Sequence, residues 1–250
     1  ADVGTSRRWA MLGAGTVAQA SAAVMAHGPA FLIPALVQQE GLSLAQAGVV
    51  AAAPTLGVML TLVAWGLLTD RRGERFVLLT GLCLTTVAGL GAVLSPDLRW
   101  LTVALFLGGA AAASTSAASG RVVVGWFPAR RRGLAMGIRQ MSQPVGVGIA
   151  AISIAVVADA RGIQAAMWVP TIATAAAAVL VAVLVIDPPR PDRDAPPSPN
   201  PYRGDRFLTR IHAVSVLLVV PQFVVWTFAL VWLVQDRGWS PGAAGSLVAV

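Results

Sequence analysis

The 250-residue chain has one cysteine, no lysine, and charged side chains at only 12% of its positions. A single thiol, Cys83, can form neither an internal disulfide nor a cysteine metal cluster, so no metal or other cofactor is expected. Carboxylates are missing from the long apolar runs, as is any convergent Ser/His/Asp set, which argues against an enzyme working inside those runs. The formal charge of +7 and pI near 11.5 come from 18 arginines placed in short segments between apolar runs. Such placement builds no continuous basic face, so nucleic acid is excluded as a partner.

What the chain does have is apolar length. Hydrophobic residues make up 56% of it and the mean hydropathy is +0.74, outside the range of soluble domains. A span needs ~20 apolar residues to cross ~30 Å of hydrocarbon. Charge-free runs and breaks give helices over 9–38, 44–69, 76–94, 99–126, 134–157 and 163–186. The first run is too long for a signal-peptide core and is expected to remain as a span. Within it, Leu12-Gly13-Ala14-Gly15 imitates a dinucleotide fingerprint, but that motif requires a strand, a turn and an amphipathic helix. Close helix packing is the expected use of these glycines.

Residues 187–206 hold seven of the sixteen prolines with interspersed charge, a polar linker that cannot enter lipid. The expected organisation is a six-helix domain over 1–186, the linker over 187–206, and over 207–250 a seventh helix followed by the beginning of an eighth. At an offset of 197, Phe31, Leu36, Val37, Gln38, Gly41, Ser43, Ala47 and Gly48 recur as Phe228, Leu233, Val234, Gln235, Gly238, Ser240, Ala244 and Gly245. The seventh helix therefore restarts the first, as in transporters built from parallel repeats. A channel, which needs a symmetric pore ring, fits this pattern poorly.

Between the second and third runs lies Gly66-Leu-Leu-Thr-Asp70-Arg71-Arg72-Gly73-Glu74-Arg75, read as a charged ten-residue loop. Gly66, Asp70, Arg71, Gly73 and Arg75 follow the spacing Gly-x-x-x-Asp-Arg-x-Gly-x-Arg, with Glu74 where another basic residue is usual. The loop resembles the signature loop of the major facilitator superfamily of secondary transporters. That resemblance implies an all-α polytopic fold of 6+6 helices in two pseudo-symmetric halves, alternating access, and a lipid bilayer around it. It also implies that the chain is a fragment, since a counterpart of Asp70 would fall beyond Val250. The signature loop would act as a gate, with Gly66 admitting a neighbouring helix, Asp70 and the arginines pairing, and Gly73 allowing a tight reversal.

Thirteen arginines fall on one side of this topology, against Arg99, Arg161 and Arg237 on the other. The positive-inside rule then places the N-terminus and the linker in the cytoplasm, in a plasma (inner) membrane. Two further arginines, Arg121 and Arg139, lie inside spans, where each costs at least ~2.5–3.5 kcal/mol unless it faces protein, water or a ligand. Taking Arg130 as the centre of the hairpin puts both at one depth. Two guanidiniums there form a fork for an oxyanion, or else both snorkel to the cytoplasmic interface or pair with Asp70 to hold the gate. Gln143 follows Arg139 at i+4, with Ser142 and Gly146 on the same face, while Ser114 and Ala118 share a stripe with Arg121. On the first helix Gln19 and His27 define the cavity face, with His27 beside a bend at Gly28-Pro29, and Gln222 is the candidate from the second half.

These residues predict a monomeric transporter of a small organic or inorganic anion, by symport with a proton. The titrating group is expected to be His27 or to lie in the half beyond residue 250. Drug or metabolite efflux by proton antiport is the alternative. It is weakened because Leu105-Phe-Leu-Gly-Gly109 lacks the arginine of such antiporters and Pro144-Val-Gly-Val-Gly148 matches their fifth-helix pattern only loosely.

Overall fold

The computed structural model describes residues 4–188, 206–235 and 237–238, with 222–235 described by backbone only. Among the described residues there is no strand. The chain divides into two units at Arg190–Pro191. In the first unit, α1 (Thr5–His27), a 3-10 turn (Gly28–Leu32) and α2 (Ile33–Glu40) make one broken span. Then follow α3 (Leu44–Arg72), α4 (Glu74–Val93), α5 (Leu98–Trp126), α6 (Ala129–Gln140), α7 (Ser142–Arg161), α8 (Ile163–Ala166) and α9 (Trp168–Leu184). Among the described residues, six helical stretches are long and apolar enough to cross a membrane. In the second unit, α10 (Phe207–Gln235) carries Pro221 within it.

The helix ends are written in local chemistry. Ser43 and Gln46 close a reciprocal capping box on α3, and Asp97 Oδ1 accepts from Trp100 N at 2.7 Å to start α5. Turns between spans use glycine at positive φ, at Gly41, Gly73 and Gly162. Gly238 has the same φ of 66° as Gly41, its partner at the 197-residue offset. Ser240, Ala244 and Gly245 of that repeat lie outside the described residues, as do linker residues 189–205 and the expected eighth span.

Large side chains on the outer faces stay exposed, among them Met59 (71%), Val63 (73%), Ile152 (75%) and Val183 (70%). A bilayer solvates such a surface, which water would not tolerate over so large an area. Inside, small residues bring backbones together. A Cβ built on Gly109 would meet the carbonyl of Pro54, so α5 lies directly against α3 at the proline. A Cβ on Gly146 would likewise meet Ala20 O, seating α7 on α1. The glycines expected to do this, Gly13, Gly15 and Gly66, meet nothing within 4 Å among the described residues. Their neighbours across the helix, not their spacing, decide the role.

Two expected loops are mostly helix. The signature segment stays helical through Arg72 and restarts at Glu74, leaving Gly73, at φ 98° and ψ 166°, as the one non-helical residue. Charged side chains at a helix end reach water without unwinding the backbone, so charge alone does not mark a loop. The second hairpin turns at Phe127–Pro128, and Arg130, Arg131 and Arg132 already belong to α6. Proline at the cap starts a helix readily because it gives up no helical N–H. Trp9 packs edge-on against Phe127, ring centres 5.2 Å apart, tying α1 to this turn.

Candidate functional site

Four elements of the first unit surround a cavity of about 110 Å³. α1 supplies Gln19 and His27, α3 Thr55, α5 Thr115 and Ser116, and α7 Gln143, with alanines between them. Three of the residues singled out in the sequence, Gln19, His27 and Gln143, thus share one wall. The expected break after His27 is present as the 3-10 turn that begins at Gly28. A turn at Met141 separates α6 from α7, and Ser142 Oγ donates to Arg139 O at 2.5 Å, which leaves Gln143 to reach the cavity.

Arg139 lies one layer behind this wall and is only 9% exposed. Its Nε donates to Ser119 Oγ at 2.9 Å, one terminal nitrogen to Gln140 Oε1 at 2.7 Å, and the other, weakly, to Ser116 O at 3.4 Å. Ser119 in turn donates to Gln19 Oε1 at 3.0 Å. All of these acceptors are neutral, so the buried guanidinium has no carboxylate among the described residues. Ser119 was not singled out because it sits in a run of alanine, serine and threonine and on the opposite side of the helix from Arg121, two positions on. Its i+3 spacing from Ser116 was the available signal.

Arg121 goes elsewhere: it forms an ion pair with Asp70 of α3, and both side chains are half exposed. The expected fork of Arg121 and Arg139 is therefore not formed. Ser119 and Arg121 are two positions apart on α5, roughly 200° around the helix, so one faces α1 and the other α3. Moving the hairpin from Arg130 to Phe127–Pro128 also removes the equal depth on which the fork relied. Ser114 turns away from the cavity and packs on Gly81 of α4. Gln222 lies on α10, where only the backbone is described.

The signature segment is fastened to the sixth span. Arg75 N donates to Asp187 Oδ1 at 2.7 Å, capping the start of α4, and the Arg75 guanidinium donates to Ala182 O at 2.7 Å near the end of α9. Trp126 Nε1 donates to Ile186 O at 3.1 Å, and Pro188 lies against Gly125. Residues 185–188, just past α9, are thus held on the bundle. Arg72 stacks over the Phe76 ring at 5.7 Å across the Gly73 turn.

A family model described as Major Facilitator Superfamily matches residues 8–250. An uncharacterized MFS-type transporter of Mycobacterium tuberculosis is 43% identical over 250 residues, which cover 99% of this chain and 56% of that protein. The glycerol-3-phosphate transporter of Bacillus subtilis is 25% identical over 249 residues, covering 85% of this chain and 54% of its own length. The chain spans about half the length of these curated relatives. Among solved structures, a bacterial homolog of the human lysosomal transporter Spinster, inward-facing and unoccupied, aligns with a TM-score of 0.70 at 16% identity. That alignment covers 99% of this chain and 60% of the other.

Proposed function

The chain belongs to the major facilitator superfamily, and from that premise we propose that it is part of a secondary transporter that takes up a small organic or inorganic anion by proton-coupled symport. The observation that carries the reading is Arg139, a cation buried in a membrane-spanning bundle whose partners among the described residues are all neutral. Burying an unbalanced charge in such a setting is costly, and an anion arriving in the adjoining cavity offsets it. The glycerol-3-phosphate transporter among its relatives carries, by its name, a substrate of this class.

On this reading the cavity of Gln19, His27 and Gln143 is the share of the substrate site that the first unit holds. His27 is the titratable cavity residue able to take the coupling proton. Arg121 serves the gate with Asp70 rather than the substrate. The charge bias puts the N-terminus, the linker over 187–206 and the arginine-rich face of the six-helix domain of residues 1–186 on the cytoplasmic side, with the protein a monomer in the plasma (inner) membrane. The reading is of a carrier, not an enzyme.

The test uses the full-length protein, purified and screened by thermal shift against phosphate, sulfate, nitrate, acetate and lactate, wild type beside Arg139→Gln. Stabilisation by one anion, lost in the variant, is the expected result, together with uptake into proteoliposomes that saturates and quickens under an inward proton gradient. Equal binding by both proteins, or stabilisation by organic cations only, overturns it in favour of efflux.

A further inference from the structure

The Arg139–Ser119–Gln19 chain has a direction, and the direction decides what the cavity offers. A guanidinium only donates hydrogen bonds. With Nε–H pointing at Ser119 Oγ over 2.9 Å, the serine oxygen is used as an acceptor and its one proton is turned to Gln19 Oε1, 3.0 Å away. Ser119 is 3% and Gln19 5% exposed, so water does not compete along the chain. Gln19 Oε1 is then occupied, and its Nε2 amide, which has no protein partner among the described residues, is left for the cavity that Gln19 lines.

We propose that Arg139 and Ser119 are positioning residues that fix the polarity of Gln19, so that the cavity presents an N–H₂ donor to a carboxylate or phosphate-type oxygen of the ligand. This rests on the anion reading and sharpens it, because the ligand oxygen meets Gln19 and not the guanidinium. Arg139 acts on the ligand through the relay and through its charge one layer behind. A glutamine without this bias is free to flip and to present its carbonyl, which repels an oxyanion and suits a donor-rich ligand.

The relay can be read without any substrate. In the full-length protein in lipid bilayers, labelled with ¹³C,¹⁵N-glutamine, the Gln19 Cδ signal (assigned by its loss in Gln19→Ala) reports whether Oε1 accepts a hydrogen bond. The expected result is a hydrogen-bonded carbonyl in wild type and an Nε2 proton in contact with cavity water. Ser119→Ala should move Cδ toward the unbonded position, and Ser119→Thr, which keeps the hydroxyl, should restore it. Binding of inorganic phosphate or acetate should weaken roughly three- to tenfold in Ser119→Ala and recover in Ser119→Thr. A Cδ signal unmoved by Ser119→Ala overturns the relay, because a serine with a purely packing role predicts that outcome. A relay signature in a protein that binds none of phosphate, sulfate, nitrate, acetate and lactate overturns the anion reading instead, so the two failures are distinguishable.

Discussion

Replacing Gly109 by alanine tests how closely α3 and α5 are locked. A methyl there would lie 2.5 Å from both the Cα and the carbonyl carbon of Pro54 and closer still to its oxygen, all backbone atoms that cannot rotate away. Reaching a tolerable 3.4 Å from those carbons requires the two helices to part by at least 0.9 Å, the difference between these distances, and the nearer oxygen asks for more. A gap of that width forfeits a quarter to a half of each dispersion contact along the seam. Overpacking of this kind costs about 1–3 kcal/mol, partly offset by up to ~1 kcal/mol from alanine's better helix propensity. With a net cost of about 1–2 kcal/mol and 2–4 °C per kcal/mol for a domain of this size, the unfolding temperature of the purified full-length protein should fall by roughly 2–8 °C. The control is Gly91→Ala, whose methyl would meet Ala104 Cβ at an ordinary 3.7 Å and should leave the melting point unchanged or slightly raised. If Gly109→Ala melts no lower than Gly91→Ala, the α3–α5 seam is not as tight as described.

Gly73→Ala forces a side chain into φ 98°, ψ 166°, a region open almost solely to glycine. A loss of about 1–3 kcal/mol in denaturant titration is expected, and an unchanged midpoint would mean that the turn is not held in this conformation. Asp187→Ala removes the cap on Arg75 N and should cost about 0.5–2 kcal/mol, whereas Asp187→Asn keeps an acceptor oxygen and should cost clearly less. Equal losses in the two variants would show that charge, not the cap, carries the effect.

The spans were legible because lipid imposes a minimum apolar length on any helix that crosses it, and 9–38 or 76–94 can satisfy that rule in only one way. Chain reversals were less so. Asp70 to Arg75 reads as a loop by charge, yet Thr69, Asp70, Arg71 and Arg72 stay helical, since their side chains alone need water. In the site, Gln19, His27 and Gln143 were legible as polar residues in apolar helices, which must face a cavity or one another. The fate of Arg121 and Arg139 was not. Counting residues from a hairpin gives relative depth only if the turn is placed correctly, and the shift from Arg130 to Phe127–Pro128 removes the equal depth; it says nothing of the side of the helix, which only the neighbouring helices reveal. Ser119 gained its meaning only from Gln19, 100 positions away.

The single-glycine joint between α3 and α4 has a mechanical consequence. A loop of several residues is compliant and absorbs displacement, whereas one residue leaves no slack. Any tilt of α3 at Arg72 is passed as torque to Glu74, through Arg75 to the end of α9, and across the Gly109 seam to α5. The four helices form a braced strut, stiff at the end where Asp70 and Arg121 meet. The expectation is that a force applied there displaces these helices together, tethered as they are by Arg75 and by the Gly109 seam.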